Sequence, residues 1–274
     1  MNVGRHGSTR VGDACDLSPG GLFDLHGHVA VVTGGNGGIG LGMAAGLAGA
    51  HADVCIWGTN GDKTAQAVRD LDQLGDGAIN GWDCDIGNEQ AVTETMAKVV
   101  DRFGHLDSCF ANAGVSGPLR PLLDTSLKDF HTVTAIDLDG TFVTVREAAR
   151  HMVAGSSGGS LVVTSSLSVL MGAGRNYAYA ASKAAVVALV KACAIELARH
   201  NIRANAVLPG WTESDLTRHA FESPRFVDGV MPRMPVRRWG RPQDFAAIAV
   251  YLASPASAFH TGDSILLDGG YAAF

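Results

Sequence analysis

Two side chains four residues apart could share one proton. Tyr179 and Lys183 stand in the run Tyr179-Ala-Ala-Ser-Lys183, and the apolar, Ala-rich segment from there to about Arg199 reads as a helix. Positions i and i+4 lie on one helix face, so the phenol and the ammonium can point into one site. A free phenol has a pKa near ~10 and is a poor acid or base at neutral pH. An ammonium roughly 4 Å away, at an effective dielectric of about 20, favours a phenolate by about 4 kcal/mol. That brings such a group into the range of a general acid/base. The spacing alone is common by chance, and its neighbours give it meaning. Ser166 follows the run Ser160-Leu-Val-Val-Thr-Ser165, which reads as a buried parallel strand with a hydroxyl at its C-terminal end, where ligands bind in open α/β sheets. Hydroxyl, phenol and ammonium together suit carbonyl reduction or its reverse. Ser166 would hold the substrate oxygen, Tyr179 would give or take its proton, and Lys183 would supply charge and hold a cofactor ribose. Hydride must then come from a dinucleotide bound elsewhere on the chain.

A site of that kind is legible near the start. Val29-Ala-Val-Val-Thr33 is a short apolar strand that runs into Gly34-Gly-Asn36-Gly-Gly38-Ile39-Gly40 and then a helix from about Leu41 to Ala50. A strand, a glycine turn and a helix start can cradle a pyrophosphate, because glycines let the backbone approach and the helix start offers free N–H groups. Val54-Cys-Ile-Trp57 is the second strand. An acidic residue that grips a ribose is expected at its end, but Gly58-Thr59-Asn60 stands there instead, with Asp53 and Asp62 poorly placed. Nothing there repels a 2′-phosphate, and no Arg or Lys stands at Gly37 or Thr59 to bind one. Thr59 and Asn60 can hydrogen-bond either form.

The elements that must position these groups alternate. A helix is expected near Asp62–Leu74, a strand near Ala78–Cys84 ending in Asp85, a helix from about Glu89 to Phe103, and a strand Leu106–Ala111 ending in Asn112-Ala113-Gly114. One long helix from about Leu127 to Met152 follows, then the Ser160–Ser165 strand, the Tyr179 helix and a strand Arg203–Leu208 ending in Pro209-Gly210. The fold class is therefore α/β, a doubly wound parallel sheet of Rossmann type in a single domain. Right-handed crossovers gather Asn112, Ser166 and the 209–216 segment beside the glycine turn. From 211 to about 240 the pattern breaks around Pro224, Pro232 and Pro235, as in a substrate lid or a surface connection. A helix near Gln243–Leu252 and a strand Ser264–Leu267 close the chain.

Composition narrows the class. The 274 residues carry a net charge of −6 and no basic stripe with interleaved aromatics, which excludes nucleic acid as the expected partner. Cys15, Cys55, Cys84, Cys109 and Cys193 form no Cys-x-x-Cys pair and read as small buried hydrophobes in a reducing, cytoplasmic setting. No stretch reads as membrane-spanning. Histidines such as His105, His131, His151 and His200 show no metal spacing, so no metal site is expected. Residues 1–21 read as a loose tail before a catalytic domain over 22–274.

The chain from about Leu22 onward closely resembles the short-chain dehydrogenase/reductases, in the single-domain branch that includes 3-oxoacyl-acyl-carrier-protein reductases and many alcohol, sugar and steroid dehydrogenases. The motifs that carry the resemblance are Thr33 to Gly40, Asn112-Ala-Gly114, Ser166 with Tyr179 and Lys183, Pro209-Gly210, and Asp268-Gly-Gly270. The resemblance implies that Gly34, Gly38, Ile39 and Gly40 line a pyrophosphate. It also implies that Asp85 and Ile86 meet adenine, that Asn112, Ala113 and Gly114 wall its ribose, and that Pro209, Gly210, Thr212 and Ser214 lie near the nicotinamide carboxamide. Relatives carry Asn in a Val-Asn-Leu-x-Gly pattern that helps hold a proton-relay water, whereas here Asp137 occupies the slot. A carboxylate can still accept that water's hydrogen bond. Between Ser166 and Tyr179, Leu167, Ser168, Met171 and Arg175, with Trp211 across from them, are the expected substrate contacts.

The resulting reading is an oxidoreductase that moves a hydride between a nicotinamide cofactor and a ketone or secondary alcohol of small size. The missing acidic selector tilts the cofactor toward NADP, with NAD kept open. The family implies a homotetramer. A dinucleotide-binding regulator without turnover is the competing class. An epimerase or dehydratase is a further one, although such relatives usually extend into a longer C-terminal substrate domain.

Overall fold

The computed structural model describes residues 18–273. Seven strands form one parallel sheet: β1 (Val29–Thr33), β2 (Asp53–Gly58), β3 (Ile79–Asp83), β4 (Ser108–Ala111), β5 (Gly159–Thr164), β6 (Ile202–Pro209) and β7 (Ser264–Leu267). Their order is β3-β2-β1-β4-β5-β6-β7, so the winding reverses beside β1. Ligands of open α/β sheets bind at such a reversal, outside the strand C-termini.

The strands read as unbroken apolar runs because both sheet faces are covered. Val29, Val31, Cys55, Trp57, Cys109, Leu161, Val163, Ala206 and Leu208 face one core, against residues of the helices Glu89–Phe103, Thr141–Gly155 and Tyr177–Leu197. The alternate residues Ala30, Val32, Val54, Ile56, Phe110, Val162 and Val207 face the other, against Gly38–Gly49, Gly61–Leu71 and Ala246–Ala253. Period-two alternation thus survives, hidden because both phases are hydrophobic. Cys55 and Cys109 are buried in β2 and β4, and Cys84 is buried just beyond β3. Burial pushes the Cys109 thiol up to about 12 and raises Cys55 as well, so neither offers a thiolate.

Several boundaries differ from the sequence reading. The helix after the glycine turn starts at Gly38, inside the turn, rather than near Leu41. The single helix expected over 127–152 is three segments: Leu127–Thr134, a π-helical stretch Ala135–Gly140, and Thr141–Gly155. Gly140 explains part of this, since a Cβ there would lie 2.6 Å from the Ile86 carbonyl oxygen. Ser18 to Gly21, assigned to the tail, belong to a short helical turn, Pro19–Phe23, with Ser18 accepting from the Gly21 N–H at 3.1 Å. The rest of the tail assignment, with Cys15, lies outside the described residues. Tyr177–His200 is long and apolar enough to cross a membrane by length and composition, contrary to the sequence reading. Here it is a core helix, with Val186, Val190 and Ala194 packed against the sheet.

The 211–240 region is packed rather than loose. Leu167, Val230, Met234 and Tyr271 form a third apolar cluster with Trp211, Phe226 and Trp239 at its edge. Trp211 meets Phe226 edge-on at 4.8 Å, and Phe221 stacks on Trp239 at 4.1 Å. Through Leu167 this cluster ties the 211–240 region to the loop that carries Ser166.

Candidate active site

The site floor is knitted by Thr33, at the end of β1. Its hydroxyl oxygen accepts from the backbone N–H groups of Asn112 and Ala113, both at 3.0 Å. Asn112 donates back to the Thr33 carbonyl at 3.0 Å and accepts from the Thr164 hydroxyl at 3.1 Å. The ends of β1, β4 and β5 are thereby held side by side. The glycine turn sits directly on this floor. Gly34 adopts φ +64°, and a Cβ on Gly40 would approach the Gly34 carbonyl oxygen to 2.4 Å. Gly37 caps the following helix with no side-chain hydrogen bond, so the first N–H groups of the Gly38–Gly49 helix are left for a ligand. These are the features a pyrophosphate requires, and the residues present fit a dinucleotide.

Tyr179, Lys183 and Asp137 come together at the ends of β4 and β5. The helix Tyr177–Leu197 begins two residues before Tyr179, after Asn176, and its Ala-rich sequence without Gly or Pro favours that conformation. Lys183 Nζ stands 5.5 Å from the centre of the Tyr179 ring. It donates to the Thr164 carbonyl at 3.2 Å and faces Asp137 Oδ2 at 3.4 Å. Asp137, fully buried, accepts the Val115 N–H at 2.7 Å through Oδ1. Burial pushes its carboxyl above the ordinary carboxylate range, while the Lys183 charge and the Val115 N–H pull the other way. The backbone crosses this pair at Gly114, where a Cβ would lie 3.1 Å from both Asp137 Oδ1 and Lys183 Nζ. Ser165 donates to the Lys183 carbonyl at 2.7 Å and so anchors the helix to β5.

Ser166 Oγ accepts the Ser168 N–H at 3.1 Å, which fixes the oxygen and leaves the hydroxyl proton free to donate to a substrate oxygen. Ser168 opens the short helix Ser168–Met171, and its own hydroxyl is buried without a partner. Trp211 lies partly buried at the edge of the third apolar cluster with its indole N–H also unpaired. Met171 and Arg175 are exposed, and Arg175 adopts φ +68° with its carbonyl accepting the Arg120 N–H at 3.1 Å. Pro209 receives the Leu167 N–H on its carbonyl at 3.0 Å, and Gly210 donates to Leu267 at 2.8 Å. Thr212 donates to the Gly210 carbonyl at 3.1 Å. Ser214 lies over the glycine turn, 3.1 Å from where a Gly38 Cβ would be. Ile86 is buried against Gly140, and Asp85 accepts the Gly87 N–H at 2.9 Å.

The end of β2 is filled from the glycine turn. Asn36, expected to face the cofactor, donates to the Thr64 hydroxyl at 2.9 Å, and its amide covers Gly58, whose Cβ would lie 2.1 Å away. Gly58 is small because Asn36 fills the space of any side chain there. Asn60 caps the Gly61–Leu71 helix by accepting the Lys63 N–H at 3.0 Å, so its carbonyl is already engaged. Thr59 is exposed beside it. No cation stands at Gly37 or Thr59 themselves, but one reaches the turn from the next helix. Lys63 Nζ lies 2.5 Å from where a Gly37 Cβ would be and pairs with Asp215 at 2.6 Å across the turn. Its place in the sequence gave no signal, because it reaches the turn from the next helix rather than from the motif.

A family model described as Enoyl-(Acyl carrier protein) reductase matches residues 34–272. The chain is 35% identical to the L-rhamnose 1-dehydrogenase (NAD(P)(+)) of Sphingomonas sp. (strain SKA58), over 90% of this chain and 96% of that protein. It superposes on a short-chain type dehydrogenase/reductase from Mycobacterium marinum with a TM-score of 0.86 at 34% identity, covering 91% and 97% of the two chains. A gluconate 5-dehydrogenase from Burkholderia cenocepacia J2315, solved with NADP and tartrate, also gives 0.86, at 32% identity over 92% and 98%.

Proposed function

Since the chain belongs to the short-chain dehydrogenase/reductases, NAD(P)-dependent oxidoreductases of CH–OH and C=O groups, we propose that Tyr179 is its general acid/base, Ser166 its substrate-oxygen donor and Lys183 the charge that serves both. The observation that carries this reading is the stack of Tyr179, Lys183 and buried Asp137 beside the end of β5. A nicotinamide cofactor held over the Gly34–Gly40 turn supplies or takes the hydride. In the reducing direction Ser166 donates a hydrogen bond to the carbonyl oxygen, and Tyr179 delivers the proton as negative charge develops there. Lys183, held between the Thr164 carbonyl and Asp137, keeps positive charge beside the phenol. Asp137 positions Lys183 and takes the part that an Asn takes in relatives. Leu167 and the Trp211 edge of the lid border the substrate, and Ser168, Met171 and Arg175 complete its surroundings.

NADP is the proposed preference. It is supported by the absence of an acidic residue at Gly58 and by the Lys63 ammonium beside Gly37. A homotetramer working in the cytoplasm is part of the same reading. Exposed Leu127, Phe142, Ile195 and Phe259 support association through the long helices and the C-terminal strand region, and sedimentation of the purified chain tests it. The substrate panel should begin with sugars and sugar acids, on which relatives of this chain act. Titration with NADPH and NADH, followed by nicotinamide fluorescence and then turnover, tests the whole reading. Tight binding with turnover of at least one secondary alcohol is expected. Binding without turnover across a wide panel would favour a regulator, and no binding by folded protein would remove the dinucleotide site.

A further inference from the structure

At the edge of the sheet opposite the active site, three loops each bring one metal-ligating side chain to a single point. His26 precedes β1, His51 precedes β2 and Asp76 precedes β3. His51 Nδ1 lies 2.7 Å from Asp76 Oδ1, and His26 Nε2 lies 3.3 Å from Asp76 Oδ2. The two imidazoles stack with centroids 4.1 Å apart. One ring nitrogen from each and one Asp76 oxygen lie within 4.8 Å of one another, close enough to converge on one ion with small side-chain movements. Asp24 stands behind the cluster. Its Oδ1 lies 2.5 Å from His26 Nδ1 and accepts the His26 backbone N–H at 3.1 Å. A carboxylate on the far nitrogen of an imidazole fixes the ring's tautomer and orientation, as it does behind histidine metal ligands. His51 holds φ +74° where the chain turns from the Gly38–Gly49 helix into β2, a backbone region that non-glycine residues enter infrequently.

We propose that His26, His51 and Asp76 form a binding site for a divalent transition-metal ion, with Asp24 orienting His26. Two imidazoles and a carboxylate suit zinc, cobalt, nickel or copper rather than magnesium or calcium. Three protein ligands leave a coordination place for water. All three side chains are solvent-exposed, which gives the ion an open entry path. The ion's role is structural, since it would tie together the loops that enter three adjacent strands. The glycine turn is at the other end of these strands, about 16 Å away at ~3.3 Å per residue. The ligands were invisible to spacing rules because Asp76 is 25 residues from His51 and 50 from His26, one ligand per strand–helix repeat.

The test uses the full chain, free of any affinity tag, stripped by chelator and titrated with Co²⁺ by visible absorption and with Zn²⁺ by calorimetry. One equivalent should bind with a saturable cobalt absorption band, and at 100-fold excess over Kd the midpoint of thermal unfolding should rise by about 5 °C. His51→Asn, which tolerates the left-handed backbone, and Asp76→Asn should each weaken binding at least ~10-fold, and Asp24→Asn by about 10-fold. Absence of saturable binding would overturn the proposal. So would binding whose affinity is unchanged in both His51→Asn and Asp76→Asn, because the ion would then sit elsewhere on the chain.

Discussion

Two Lys–Asp pairs flank the cofactor groove, and they behave as opposites. Lys63 and Asp215 meet at 2.6 Å above the glycine turn, with side chains 42% and 62% exposed. Lys183 and Asp137 stand farther apart, at 3.4 Å, but are 5% and 0% exposed. The carboxylates shift in opposite directions. The hydrogen bond from Lys63 holds Asp215 below the ordinary 3.8, whereas burial lifts Asp137 above it. Distance alone would rank the outer pair as the stronger. Solvent reverses that ranking, because water screens an exposed pair and makes its loss cheap. A buried charge left without its partner has no such refuge. The inner pair therefore serves as a fixed part of the site, and the outer pair as an exchangeable contact.

The sharpest way to break this contrast is Lys183→Met. Removing the cation leaves Asp137 uncompensated, and denaturant unfolding at neutral pH should show a loss of about 3–5 kcal/mol. Turnover should fall at least ~100-fold. A stability loss below about 1 kcal/mol would place Lys183 among ordinary surface lysines. Asp137→Asn acts next. Since Asn can accept the Val115 N–H and face the ammonium, much of the activity should remain, and collapse of the rate with intact cofactor binding would contradict the equivalence of Asn and Asp at this position. The same variant reads out the titration. Because the folded-state value of Asp137 is raised, between 3.8 and that raised value the native protein holds a proton that the unfolded chain has already released. Its contribution is present at low pH and is lost as pH rises through the folded value. Asp137→Asn should flatten that fall in unfolding curves taken between pH 4 and 8, and parallel curves would contradict it.

The outer pair should respond weakly in stability and visibly in binding. Asp215→Asn should change stability by less than about 1 kcal/mol. The contribution of Asp215 is present above its unfolded value and is lost as pH falls through the lowered folded value, the reverse of the inner pair. Lys63→Gln should raise the KM for NADPH by about 10-fold while leaving that for NADH within ~3-fold, as removal of one charge-assisted contact implies. Equal effects on both cofactors would detach Lys63 from any ribose phosphate.

Most of the fold was legible because strands covered on both faces are unmistakable: β1 and β7 have the expected ends. The placement of the glycine turn after β1, of Ser166 after β5 and of Tyr179 and Lys183 on one helix was legible because each motif is local in sequence. The π-helical break at Ala135–Gly140 was not, since apolar periodicity there fits one continuous helix and the close approach of Ile86 to Gly140 comes from another loop. The reason position 58 is a glycine was not legible, because it lies in Asn36, which comes from the glycine turn and fills the space of any side chain there. Lys63 went unseen because its role depends on the angle at which the Gly61–Leu71 helix returns to the turn. Such contacts are set by tertiary packing, which a linear motif does not carry.

In the proposed reading Tyr179 transfers the proton while Lys183 and Asp137 hold the machinery around it. Tyr179→Phe tests this most directly, by measuring cofactor Kd and turnover on the same preparation. The expected result is a Kd within ~3-fold of the unmodified chain and a rate lower by about 10²–10⁴-fold. A variant that binds cofactor and turns over at the original rate would contradict the account.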